Sequence, residues 1–294
     1  MRRGDPARVL VLGLPCLWLS LFLAAPCAIV LKIALSEPAD GVPPFAPLLQ
    51  WDAQGRAGLH LQLETFRTLL ADRFYRDALL RSLKVAFVSA GASLALGYPM
   101  ALAIARAPAS RRTGLLLAVM LPFWSSFLLR IAVWIGLLQD QGLINTALLA
   151  IGVIAAPIPL LYTDLAMYLG IVYCYLPFMV LPLYANLVKL EPELLEAASD
   201  LGARPWRAFL AVTLPLSLPG IVAGFMLVFI PAVGEFVIPE LLGGPDAQLI
   251  GRVLWSEFFQ NRDWPLAAAL AVLLLALLLL PIALFQRERR ELER

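Results

Sequence analysis

Long apolar runs separated by short polar segments set the plan of this chain. A bilayer core about 30 Å thick is crossed by about 20 helical residues rising 1.5 Å each. Six stretches meet that length: residues 10–35, 83–105, 115–138, 165–188, 214–236 and 265–285. The pattern predicts an all-α membrane protein of six transmembrane helices, in one domain over residues 1–294. Two further segments do not read as plain loops. Residues 61–80 mix Leu61, Leu63, Phe66, Leu69, Leu70, Phe74, Leu79 and Leu80 with charges, which predicts an amphipathic helix at the interface or against a partner. Residues 147–161 are apolar but too short to span and are broken by Pro157 and Pro159, so a re-entrant or surface-lying segment is expected.

Composition agrees with that plan. The chain is 61% hydrophobic and 15% charged, with a mean hydropathy of +0.82, whereas soluble domains are about half apolar and about one quarter charged. The charges fall between the runs. Arg2, Arg3 and Arg8, then Arg106, Arg111 and Arg112, then Lys189, Arg204 and Arg207, then Arg287, Arg289, Arg290 and Arg294 all lie on one side of the membrane when the spans are counted. The connection over 139–164 carries no lysine or arginine. Positive residues collect in the cytoplasm, so both termini are expected there, in a membrane that borders the cytoplasm. The first run continues through Cys27 after a proline unsuited to cleavage, which predicts an uncleaved anchor rather than a signal peptide.

Several chemistries lack material. The net charge of +2 is spread over loops, so no basic face is available for nucleic acid. His60 is the single histidine, and Cys16, Cys27 and Cys174 form no C-x-x-C pair; the cysteines read as small core hydrophobes and no metal site or catalytic group is proposed. None of the three lysines, Lys32, Lys84 and Lys189, stands in a phosphate-binding loop. If transport uses ATP, another polypeptide binds it.

The segment over 192–202, on the cytoplasmic side, reads as a short helix with its own start and stop. Pro192 suits the first turn, Glu193 and Glu196 suit the N-terminal dipole, and Gly202 suits a left-handed cap. Leu194, Leu195, Ala198 and Leu201 form an apolar stripe, kept thin by Ala197 and Ala198. An ordinary loop helix would show these features too. The spacing of Glu196-Ala197-Ala198, then Gly202, then Val212, Leu214 and Pro215 resembles the cytoplasmic signature of permease subunits of binding-protein-dependent ABC importers. Valine at 212, where isoleucine is usual, is a small departure. The run from Phe229 to Gly244 and the run Ile250-Gly251-Arg252-Val253-Leu254-Trp255 are similar to permeases of polyamine importers, most of all to the larger permease of the putrescine system.

That resemblance implies a type I ABC importer permease fold and a role for Glu196, Ala197, Ala198, Gly202, Leu214 and Pro215 in coupling to an ATPase. It also implies a second permease subunit, separate ATPase subunits holding ATP and magnesium, an outer-compartment substrate-binding protein, a polyamine as cargo, and no cofactor on this chain. A polyamine is an apolar rod with ammonium ends, so its path calls for carboxylates and aromatic faces. Glu235, at the outer end of the fifth run, is the leading candidate, with Trp134, Tyr173, Glu240 and Asp164 as further path residues. An alternative is that Glu235 only neutralises Arg130, the arginine deep in the third run. Other readings stay open here: an importer of the same architecture for another small solute, or a secondary transporter working without ATP, against which the absence of an internal repeat counts.

Overall fold

The computed structural model describes residues 6–51 and 57–292; Arg2, Arg3 and Arg294, used above for orientation, lie outside them. The chain divides into two compact units, one of residues 1–76 with 253–294 and one of residues 77–252.

The first unit opens with α1 (Pro6–Leu19), a π-helical turn (Ser20–Ala24) and α2 (Ala25–Ala34). Leu12, Leu17, Trp18, Leu21 and Phe22 are all exposed. A helix apolar all round and unburied by its own chain is suited to hydrocarbon. Cys16 and Cys27 are exposed on this helical run, so only Cys174 is the core residue expected of all three. The loop that follows carries a small antiparallel hairpin, β1 (Leu49–Trp51) with β2 (Ala57–Leu59), which forms the one sheet among the described residues. The amphipathic stretch over 61–80 is not one helix. It divides into α3 (Glu64–Ala71) and the first turns of α4 (Arg73–Arg106), because Asp72 is extended and its carboxylate accepts the Phe74 N–H at 2.8 Å, starting a new helix.

The second unit holds most of α4, then α5 (Ala109–Met120), α6 (Phe127–Leu138), α7 (Leu143–Ala150), α8 (Asp164–Leu187), α9 (Pro192–Asp200), α10 (Pro205–Ala208), α11 (Leu214–Val233) and α12 (Val237–Leu242). Chain order ends with α13 (Ile250–Phe259) and, in the first unit, α14 (Trp264–Leu292), which packs against α2 and α3. Five helical stretches among the described residues are long and apolar enough to cross a membrane, Val11–Ala34, Arg73–Arg106, Phe127–Ala150, Asp164–Leu187 and Pro205–Val233, with the shorter apolar Trp264–Leu279 besides.

Three expected boundaries move for local reasons. The run over 115–138 is two helices, not one. Pro122 lies in a tight 3₁₀ turn (Leu121–Trp124), and Ser125 and Ser126 are extended before α6 begins. The run over 83–105 starts ten residues earlier, at Arg73. The run over 214–236 begins at Pro205 through a π-helical turn (Phe209–Thr213) and stops at Val233, where Gly234 leaves the helix; Pro231 stays inside it. Residues 151–163 carry no helix and are tied back by Asn145, whose amide donates to the Ile158 carbonyl at 2.9 Å and accepts the Ile158 N–H at 3.1 Å.

The core of the second unit is built around α8. Met179, fully buried, lies beneath Gly97 of α4 and Gly224 of α11: a Cβ on Gly97 would stand 2.9 Å from the Met179 Cγ, and one on Gly224 3.0 Å from its backbone oxygen. Small residues let membrane helices approach this closely, where lipid supplies no hydrophobic force of its own. Tyr98 closes the same core, its hydroxyl 2.9 Å from the Ser217 Oγ and its ring edge-on to Phe209.

Candidate functional site: a capped short helix and a buried carboxylate

The short helix α9 ends as its sequence requires. Gly202 has φ +81°, its N–H donates to the Ser199 carbonyl at 2.8 Å, and the Ala203 N–H donates to the Ala198 carbonyl at 3.0 Å. This pair of bonds is the Schellman arrangement, which satisfies the last carbonyls and turns the chain sharply. Leu195 and Ala198 are half-buried toward α10 and the π turn, while Glu196, Ala197 and Leu194 face outward and Leu201 is 90% exposed. The stripe read as one apolar face is therefore split. Its inner half holds α9 to its own chain and its outer half is offered to solvent. A cavity of about 430 Å³, lined by Arg106, Arg112, Leu190, Pro192, Leu195 and Thr213, lies beside it. Leu214, half-buried, and Pro215, exposed, begin α11 directly after the π turn.

Glu235 lies just past the end of α11 and is 7% exposed. One carboxylate oxygen accepts the backbone N–H of Val237 at 3.0 Å and of Ile238 at 3.3 Å, capping α12; the other accepts the Tyr175 hydroxyl from α8. Packing fixes this loop from outside: a Cβ on Gly251 would lie within 3 Å of the Gly234 and Glu235 oxygens. The Ile250 N–H donates to the Ser82 Oγ of α4 at 2.7 Å, which pins the start of α13 there. Two of the hydrogen bonds that hold this carboxylate come from backbone, and among the described residues it makes no ion pair.

Glu235 does not pair with Arg130. Among the described residues Arg130 makes no ion pair; its guanidinium lies over the rings of Phe123 at 5.2 Å and Phe127 at 5.6 Å. Trp134 and Tyr173 do meet, edge to face with centroids 5.6 Å apart, in a cavity of about 220 Å³ that they share with Arg130, Ser125, Leu129 and Val133. The other two acids have partners that the sequence pattern did not reveal. Glu240 pairs with Arg252 at 2.5 Å and Asp164 with Arg81 at 3.0 Å, and Arg81 also donates to the Asp246 carbonyl. In sequence Arg81 stands just before the second apolar run, with no partner near it. Its role depends on α4 bringing it to the start of α8.

Several helices long and apolar enough to cross a membrane, with an exposed, capped short helix between two of them, fit a multi-pass membrane protein. The chain belongs to the binding-protein-dependent transport system inner membrane component family, whose model matches residues 97–290. It is 36% identical over 277 residues to the spermidine/putrescine transport system permease protein PotB of Haemophilus influenzae, spanning 94% of this chain and 92% of that one. It is 41% identical to PotB of Escherichia coli K12 over 227 residues, 77% of this chain and 82% of that one. The inner membrane ABC transporter permease protein YdcU of the same organism is 35% identical, over 77% of this chain and 76% of that one. The fold matches that of a chain in the crystal structure of a bacterial ABC transporter involved in the import of the acidic polysaccharide alginate, with a TM-score of 0.65 over 98% of this chain and 96% of that one at 20% identity. The protein is thus an inner-membrane permease subunit with the ABC importer permease fold, a transport component and not an enzyme.

Proposed function

We propose that this chain is a permease subunit of an ATP-driven polyamine importer, taking putrescine, and that it forms half of the translocation path beside a second permease. ATP and magnesium bind to separate ATPase subunits, on which α9 docks through Glu196, Ala197 and the outer leucines; the chain itself holds no cofactor. Both termini and α9 face the cytoplasm, and an outer-compartment binding protein delivers the cargo.

The observation that carries the substrate reading is the Glu235 carboxylate, buried at the outer end of α11, fixed by Tyr175 and two backbone N–H groups and with no ion pair among the described residues. An ammonium end replaces water there at little reorganisation cost, while Trp134 and Tyr173 offer aromatic surface to the apolar rod. Glu240 and Asp164 are weaker stations on the path, since each already faces an arginine. The names of the relatives include both spermidine and putrescine, which supports the polyamine class and calls for testing both members. The test is uptake of labelled putrescine, with spermidine in parallel, into vesicles holding the complete assembly, with and without ATP. ATP-dependent uptake of either establishes the class and their ratio the preference. Uptake of neither by an assembly that hydrolyses ATP overturns the substrate.

A further inference from the structure

The cavity of about 430 Å³ beside α9 has a lining whose polar groups its own chain leaves incomplete. Arg106 and Arg112 stand on it, and among the described residues neither makes an ion pair. Arg112 is held by its Nε, which donates to the Ala107 carbonyl at 2.8 Å and leaves the two terminal amino groups for another acceptor. Thr213 lines the same cavity, is 2% exposed, and its hydroxyl has no hydrogen-bond partner. A buried hydroxyl left unpaired is costly, and a ligand oxygen removes that cost. The acids of α9 do not serve the arginines: Glu191, Glu193 and Glu196 are exposed and pair with neither.

Charge and setting define the ligand. Two guanidiniums call for an anion, and their planar forks suit the oxygens of a phosphate. Apart from the arginines and Thr213 the lining is apolar, with Leu102, Leu187 and Leu190 in it, and the volume exceeds what a bare phosphate fills. The fitting molecule is an ester that carries both a phosphate and an apolar part. Its level in the fold is that of a lipid headgroup. Arg106 is the last residue of the span Arg73–Arg106, Leu187 is the last of Asp164–Leu187, and Thr213 closes the π turn near the start of Pro205–Val233. Basic pockets between helix ends on the cytoplasmic side take anionic headgroups, because that leaflet presents them. A polyamine is repelled from this position.

We propose that this cavity binds the phosphate of an anionic phospholipid, with Arg106 and Arg112 on the phosphate, the Thr213 hydroxyl donating to an ester oxygen and the chain lying against the leucines. The choice of the cytoplasmic leaflet rests on the orientation proposed above, and the site itself does not. Pro192 and Leu195 of α9 belong to the same lining, so an occupied cavity backs the inner half of that helix. Lipid then steadies the outer half, which the functional reading places against the ATPase, and an empty cavity leaves it looser.

The test uses the assembled transporter, loaded with labelled phosphatidylglycerol and then exchanged into phosphatidylcholine nanodiscs. The label retained per assembly is counted for the original, for Arg106→Gln with Arg112→Gln, for Thr213→Val, and for Arg111→Gln, an exposed arginine outside the cavity. The double variant retains at least fivefold less label, while Arg111→Gln retains as much as the original. Thr213→Val lowers retention about twofold yet raises the melting temperature of the lipid-free assembly, a sign that a merely structural hydroxyl would not give. Phosphatidylglycerol also raises ATP hydrolysis by the original at least twofold and leaves the double variant unchanged. Glycerol 3-phosphate added to assemblies in phosphatidylcholine alone distinguishes the source: binding of it that the double variant loses, with no phosphatidylglycerol retained by the original, keeps the phosphate site and assigns it to a soluble ester. Equal retention by the original and the double variant overturns the inference, as does loss of the ATPase subunits from a double variant that still retains lipid, which assigns the arginines to that subunit. Retention is read without substrate, so failure of putrescine uptake leaves this result standing.

Discussion

The hydroxyl of Tyr175 donates to one oxygen of Glu235 while the other oxygen caps α12 through Val237 and Ile238, so a single carboxylate joins α8, the end of α11 and the short helix after it. Neutralising it removes the charge but keeps an acceptor for the backbone bonds. Glu235→Gln therefore leaves the chain folded and assembled and lowers the rate of putrescine uptake about tenfold, the equivalent of about 1.4 kcal/mol of lost charge interaction. Tyr175→Phe, which leaves the charge but loosens it, produces a smaller loss. Uptake in vesicles, normalised to the amount of assembled complex, checks both.

Gly202→Val forces a β-branched residue into φ +81°, a region that costs L-residues about 1–2 kcal/mol. No atom lies within 4 Å of the position of its Cβ, so the effect is on backbone conformation and not on packing. The expected outcome is a chain present at normal levels whose assembly shows weakened coupling: uptake falls severalfold more than basal ATP hydrolysis. Parallel assays of the two rates read the difference.

Gly224 and Gly91 provide a matched pair. At Gly224 a Cβ meets the Met179 sulfur at 2.8 Å and its backbone oxygen at 3.0 Å, whereas at Gly91 nothing lies within 4 Å. Gly224→Ala costs about 1–3 kcal/mol by forcing α8 and α11 apart. Gly91→Ala is neutral or slightly stabilising in the interior of a helix. Melting temperatures of the detergent-solubilised complex carrying each change separate them.

Exposure limits what the outer ion pairs contribute. Arg252 with Glu240 and Arg81 with Asp164 both keep substantial solvent access, so each contributes about 0–1 kcal/mol to stability and weakens with added salt. Arg252→Gln leaves the Glu240 carboxylate uncompensated and raises the apparent affinity for putrescine about twofold to threefold at low salt, an effect that vanishes at 0.5 M salt as screening shortens to a few ångströms. Uptake at varied putrescine concentration, repeated at both ionic strengths, measures it.

The sequence by itself determined the all-helical membrane class and offered Gly202 as the left-handed end of a short helix, because each depends on local physics. Apolar length decides what enters a bilayer, and glycine decides where a left-handed cap is possible. It also offered Glu235, Trp134 and Tyr173 as candidates, a charged residue and aromatic ones within or at the end of apolar runs. The third run was misread as continuous: hydropathy averages across Pro122, while the backbone does not. Only the tertiary structure decided which charges meet. Glu240 finds Arg252, Asp164 finds Arg81 and Glu235 finds Tyr175, and the Arg130 guanidinium lies over aromatic rings. Those pairings join residues that helix packing brings together, from separate elements in all but the aromatic contacts of Arg130, and a pattern read along one chain carries no information about which faces pack together.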